Sequence, residues 1–90
     1  MKKKPSDVAQ WMVDQLREQE ELYQQDTAEH IKRNFGDEFV YVNRNGNLAI
    51  RKDVLEAFRR LTEKTVVWHQ VYRLWRYRRK GDPPGRQVQN

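Results

Sequence analysis

The residues best equipped for chemistry lie in one stretch, Val71 to Lys80. There Arg73, Arg76, Arg78, Arg79 and Lys80 interleave with Tyr72, Trp75 and Tyr77. Guanidinium and ammonium groups neutralise phosphates and aromatic rings stack on bases, so a ribbon of this composition suits DNA or RNA. The competing reading is a half-buried strand whose aromatics enter the core while its arginines lie over them or reach water. Extended, the stretch puts Arg73, Trp75, Tyr77 and Arg79 on one face and Tyr72, Leu74, Arg76 and Arg78 on the other, so neither face is purely basic. Arg59, Arg60 and Lys64 continue the positive charge upstream. The expected nucleic-acid contacts are therefore Arg59, Arg60, Lys64, Arg73, Arg76, Arg78, Arg79 and Lys80. Charge reversal at Arg76, Arg78 and Arg79 is expected to abolish binding and leave the fold intact.

Other chemistry finds little support. Cysteine is absent, which removes disulfides and thiolate metal sites. His30 and His69 stand far apart and in no ligand spacing such as HExxH. Ser6 is the single serine, and the four glycines are isolated, so no phosphate-cradling loop is formed. No catalytic residue, metal site or cofactor is expected, and the chain reads as a binding protein and not as an enzyme.

Charge is divided unevenly along the 90 residues. Residues 1–45 hold seven Lys/Arg against nine Asp/Glu, whereas residues 46–90 hold eleven against four. A basic half invites a polyanion, although it also serves solubility. The hydrophobic fraction is only 37%, so the core must be small and must draw on the three Trp, four Tyr and three Phe. The opening MKKKPSDV lacks the apolar run of a secretory signal, and no segment approaches the roughly 18 apolar residues of a membrane span. A cytoplasmic protein with no membrane partner is expected.

The elements that must position these side chains can be read in order. Residues 1–5 form a flexible basic lead-in. Ser6 is the expected N-cap of a first helix that carries Val8, Trp11, Met12 and Leu16 on one face. Leu22 to Gln24 suit a small edge strand. A second helix starts near Gln25 or Asp26, turns Ala28, Ile31 and Phe35 inward and stops at Gly36. Two β-rich runs, 39–42 and 47–50, flank Asn45-Gly46, the pair that favours a two-residue type I′ turn; that turn would pair Val42 with Ala49 and Tyr41 with Ile50.

A third helix over 51–61 carries Val54, Leu55, Phe58 and Leu61 on its apolar side. Its outer side, with Lys52, Glu56, Arg59, Arg60 and Glu63, mixes both signs, a poor pattern for reading a major groove. Strands at 65–68 and 71–78 follow, joined by a tight turn near His69-Gln70. Residues 81–90, with two prolines and two glycines, form a flexible tail. The result is an α+β fold, a winged-helix-like single domain over residues 6–80 with three helices and two β-hairpins. The hairpin at 39–50 is an addition to the simplest winged-helix order.

The series ELYQQDTAEHIKRNFG, FVYVNRNGNLAI, VLEAFRRLT, VVW, LWR and DPPGRQ resembles a family of small bacterial proteins of unknown function, some carried on mobile gene cassettes. The resemblance runs from about Val8 to Gln87 and implies a bacterial cytoplasmic domain, with no activity to carry over. The leading functional expectation is weakly specific nucleic-acid binding through the basic second half. The alternative is a protein-interaction or homodimerisation module, in which the 39–50 hairpin and the tail make the contacts.

Overall fold

Each segment with a helical apolar period folds as a helix, and each β-rich run as a short strand, in the computed structural model, which describes residues 3–88. The order is α1 (Pro5–Gln19), β1 (Glu21–Tyr23), α2 (Gln24–Phe35), a 3₁₀ turn (Asp37–Phe39), β2 (Val40–Val42), β3 (Leu48–Ile50), α3 (Lys52–Thr62), β4 (Val66–His69), β5 (Leu74–Tyr77) and β6 (Gln87–Val88). This is the expected single α+β domain with three helices and two hairpins. What was expected of Met1, Lys2, Gln89 and Asn90 lies outside the described residues.

Helix α1 starts one residue earlier than a Ser6 cap requires. Pro5 takes the first helical position, where its fixed φ is already helical, and extended Lys4 is the cap residue. Asp7 reaches back and accepts the Lys4 backbone N–H at 2.8 Å. Ser6 is therefore inside the helix and does not cap it. Val8, Ala9, Met12 and Leu16 form a stripe with at most 1% exposure, packed chiefly on α3. Each large side chain so buried contributes about 1.5–3 kcal/mol.

In α3 the buried positions are Val54, Phe58 and Thr62, spaced by four, so the stripe winds around the helix as it advances. The expected Leu61 is left 51% exposed at the last turn. Thr62 takes the inward place because its hydroxyl donates to the Phe58 carbonyl at 2.7 Å, which leaves no unpaired polar group in the core.

The first hairpin differs from expectation by one residue of register. Val40 faces Ile50, Tyr41 faces Ala49 and Val42 faces Leu48. Asn43 decides this, because its side-chain oxygen accepts the N–H groups of both Asn45 and Asn47 at 3.0 Å. Only Gly46 has positive φ, 82°, whereas a type I′ turn needs two such residues. The loop is thus Arg44-Asn45-Gly46. The one-residue change brings Val40 and Ile50 together in the core and leaves Tyr41 and Val42 outside.

The main sheet has the order β1-β5-β4-β6, with β1 and β4 antiparallel to β5 and β6 parallel to β4. Strand β5 begins only at Leu74. Residues 70–73 form a turn held by His69, whose carbonyl accepts the Arg73 N–H at 2.8 Å and whose Nδ1 accepts the Tyr72 N–H at 3.2 Å. Arg73 closes this turn in the left-handed region, φ 57°. One sheet face presents Val66, Trp68 and Trp75 to the helices. The opposite face carries Val67, His69, Leu74, Arg76 and Val88, and these are buried too.

The tail accounts for that second burial. The chain expected to run free from Gly81 instead returns to the sheet. The Trp68 N–H donates to the Arg86 carbonyl at 2.7 Å and the Gln70 N–H to the Val88 carbonyl at 2.9 Å. Val88 is 3% exposed. A buried, half-paired β4 edge would leave backbone donors without partners, and β6 supplies them.

Candidate nucleic-acid interface

The expected basic residues fall into two groups. Arg76 and Arg78 are structural. Arg76 donates to both carboxylate oxygens of Asp82, at 3.0 and 2.9 Å, and to the Tyr77 carbonyl at 3.0 Å, with its side chain only 6% exposed. The hydrogen bond from Arg76, aided by the Arg79 backbone N–H at 2.6 Å, holds the Asp82 carboxyl well below the usual carboxylate range. The same bond raises the Arg76 guanidinium. Arg76 is thus placed out of reach of a phosphate, and a glutamate there would confront Asp82 in the interior. Reversal of Arg76, Arg78 and Arg79 together would therefore break these contacts and is not a clean test of binding. Arg78 donates to the Pro83 carbonyl at 3.0 Å and to that of Gly85, so it pins the tail.

Arg59, Arg60, Lys64, Arg73, Arg79 and Lys80 are exposed. Arg59 and Arg60 project from the last turns of α3, with Lys64 just beyond it. Arg73 stands at the end of the 70–73 turn, its Nη2 3.3 Å from the Gln24 side-chain oxygen. Of the eleven basic residues in the second half, only Lys52 and Arg76 have a carboxylate within 4.0 Å among the described residues.

One basic residue escaped the sequence reading. Arg86 lies in the tail expected to be free, yet its guanidinium donates to the carbonyls of Thr62 at 3.1 Å and Val66 at 3.2 Å and to the Thr62 hydroxyl at 3.1 Å. It also lies 5.7 Å from the centre of the Phe58 ring. Burial lowers its basicity, and the neighbouring positive charges of Arg59 and Arg78 lower it further, against a smaller opposing pull from Glu63.

Arg59, Arg73 and Arg86 come from three separate elements and border one cleft of about 560 Å³ between α3 and the main sheet. Among the described residues its base is Leu55, Phe58, Trp68 and Trp75, its remaining lining is glutamine, and no carboxylate lines it. The Trp68 and Trp75 rings are 4.8 Å apart, and Phe58 meets Trp75 edge-on at 5.3 Å. The cleft therefore combines net positive charge with aromatic surface, the combination expected of the Val71–Lys80 ribbon, but of that ribbon only Arg73 and Trp75 take part, joined by residues of α3, β4 and the tail.

The histidines lie elsewhere. His30 stands 6.3 Å from Trp11, and His69 is buried against Tyr72 at 4.6 Å. Among the described residues no group of three His, Cys, Asp or Glu is placed to hold a metal ion, and no helix is long and apolar enough to cross a membrane.

No curated protein and no solved structure matches the chain. Residues 4–77, from the cap of α1 to the last residue of β5, match the model of a family of unknown function (DUF6953), and the chain belongs to that family.

Proposed function

We propose that this protein is a small bacterial, cytoplasmic nucleic-acid-binding domain, winged-helix-like and weakly specific, and that it works by binding and not by catalysis. The observation that carries this reading is the uncompensated charge: Arg59, Arg60, Lys64, Arg73, Arg79 and Lys80 are exposed without an ion-pair partner among the described residues. Such a surface gains by releasing the counterions of a polyanion. The sheet order, with β1 completing the β4–β5 hairpin after three helices, supports the winged-helix comparison. The resemblance to bacterial cassette proteins supports the cellular setting.

The test is fluorescence anisotropy of a labelled duplex and a labelled single strand at two salt concentrations. If three or four phosphates are engaged, log K falls against log salt with a slope of about −3. Replacing Arg59 and Arg73 by Glu should remove most of the binding without disturbing the fold. Absence of binding at low salt, or unchanged affinity in the folded double variant, would remove the proposal.

A second reading is favoured by a different surface. Tyr41 is 49% and Val42 68% exposed on the β2–β3 pair, a two-stranded sheet with both edges unpaired among the described residues. Such an edge can accept a strand from a second copy or another protein. Light scattering on a sizing column distinguishes the two, since this reading requires a dimer or a recovered partner.

A further inference from the structure

We propose that the cleft between α3 and the 70–73 turn receives an unstacked base of a single-stranded nucleic acid, with Trp68 as the stacking surface and the exposed Arg59 and Arg73 on the flanking phosphates. This inference rests on the nucleic-acid reading and narrows it from any polyanion to a single strand.

Trp68 is the partly exposed member of an aromatic cluster in which the rings meet at an angle. Trp75 lies behind it, 5% exposed, and Phe58 is wholly buried against Trp75. A ring braced in this way has little rotamer freedom left to lose when a ligand binds. Every base has a π-face, so stacking tolerates sequence, which fits weak specificity. In a duplex those faces are already covered by neighbouring base pairs, and a single strand exposes them.

The charge distribution matches the same ligand. Three guanidinium groups border the aromatic base, no carboxylate lines the cleft among the described residues, and Arg59 and Arg86 repel one another. Bound phosphate relieves that repulsion. The volume of about 560 Å³ falls within the range of small-ligand sites, roughly 300–1,000 Å³. Arg60 and Lys64 continue the charge along and beyond the end of α3, which suits a strand longer than one nucleotide.

The experiment uses the full chain with Trp11→Phe, which leaves Trp68 and Trp75, both at the cleft, to report by fluorescence. Trp11 packs on Phe35, away from this site. The titrants are oligothymidylate and oligouridylate of about twelve nucleotides and a duplex of the same length, a span within the usual single-strand footprints. Single strands should quench the emission and bind about ten-fold more tightly than the duplex. The ratio of the two single strands reports whether DNA or RNA is preferred.

Adding Trp68→Ala should weaken single-strand binding about five- to 150-fold, which corresponds to one base stack, with little change for the duplex. Trp68→Phe keeps a ring and should stay near the parent, so the comparison survives if the alanine variant fails to fold. Equal affinity for single strand and duplex without quenching would overturn the inference while the nucleic-acid reading stood. Unchanged single-strand binding in a folded Trp68→Ala protein would do the same. No binding of any titrant would remove both.

Discussion

Arg86 offers the sharpest test of how the tail is held. Replacing it with Ala removes three hydrogen bonds, to the Thr62 and Val66 carbonyls and the Thr62 hydroxyl, together with its contact over Phe58. At a half-buried site each hydrogen bond contributes about 1 kcal/mol, and the ring contact adds about 0.5–1 kcal/mol. Against these stand the rotamer freedom that an ordered arginine gives up, about 1.5–2 kcal/mol, and the repulsion from Arg59 and Arg78. The attractive side wins by about 2 kcal/mol. Urea unfolding followed by circular dichroism reads this directly. With a slope near 1 kcal/mol per molar, the midpoint should fall by about 2 M. Arg86→Lys keeps the charge but loses the planar fork, so it should fall between the two. A midpoint within about 0.5 M of the parent, outside the loss expected from any of these hydrogen bonds, would refute the assignment of Arg86 as the anchor of the tail.

Two further outcomes follow from the local geometry. Glu20 caps α1 at φ 69°, a conformation that costs a non-glycine residue about 1–2 kcal/mol, so Glu20→Gly should raise the melting temperature by about 4 °C after the entropy that glycine loses; a fall would show that the Glu20 side chain contributes more than its backbone costs. The Asp82 carboxyl is depressed in the folded state, so its contribution is present above the ordinary carboxylate pKa near 4 and is lost as pH falls below it. Asp82→Asn should lower the melting temperature at neutral pH and flatten its decline below pH 4, and parallel curves for parent and variant would count against the pair.

The elements were legible where local pattern and tertiary demand agree. The helical stripe of α1 and the glycine stop of α2 follow from residue spacing and capping chemistry, and the small strand expected over 22–24 forms one residue earlier, at Glu21–Tyr23. The failures share a cause: a side chain supplied hydrogen bonds that no periodicity reveals. The side chain of Asn43 moved the hairpin register by accepting two backbone N–H groups, and His69 delayed β5 to Leu74 by accepting the Tyr72 N–H on its ring and the Arg73 N–H on its carbonyl. The basic surface was legible as composition, but its division was not. Arg76 and Arg79 are near neighbours on paper, yet one is locked on Asp82 in the interior and the other faces water. Arg86 was hidden because proline and glycine signal a loop without saying where that loop returns.

Strand β1 has a consequence for the order of assembly. Leu22 must find Trp75, and everything between them, including the β2–β3 hairpin, is looped out while that search proceeds. Helices and the β4–β5 hairpin close over short distances, on the microsecond scale, so they precede it. Lengthening the closing loop by a dozen residues adds only a few tenths of a kcal/mol, so the hairpin delays this step very little. Three-residue β1 also forms one edge of the sheet, and its amides should exchange with solvent earlier than those of β4, which is paired on both sides.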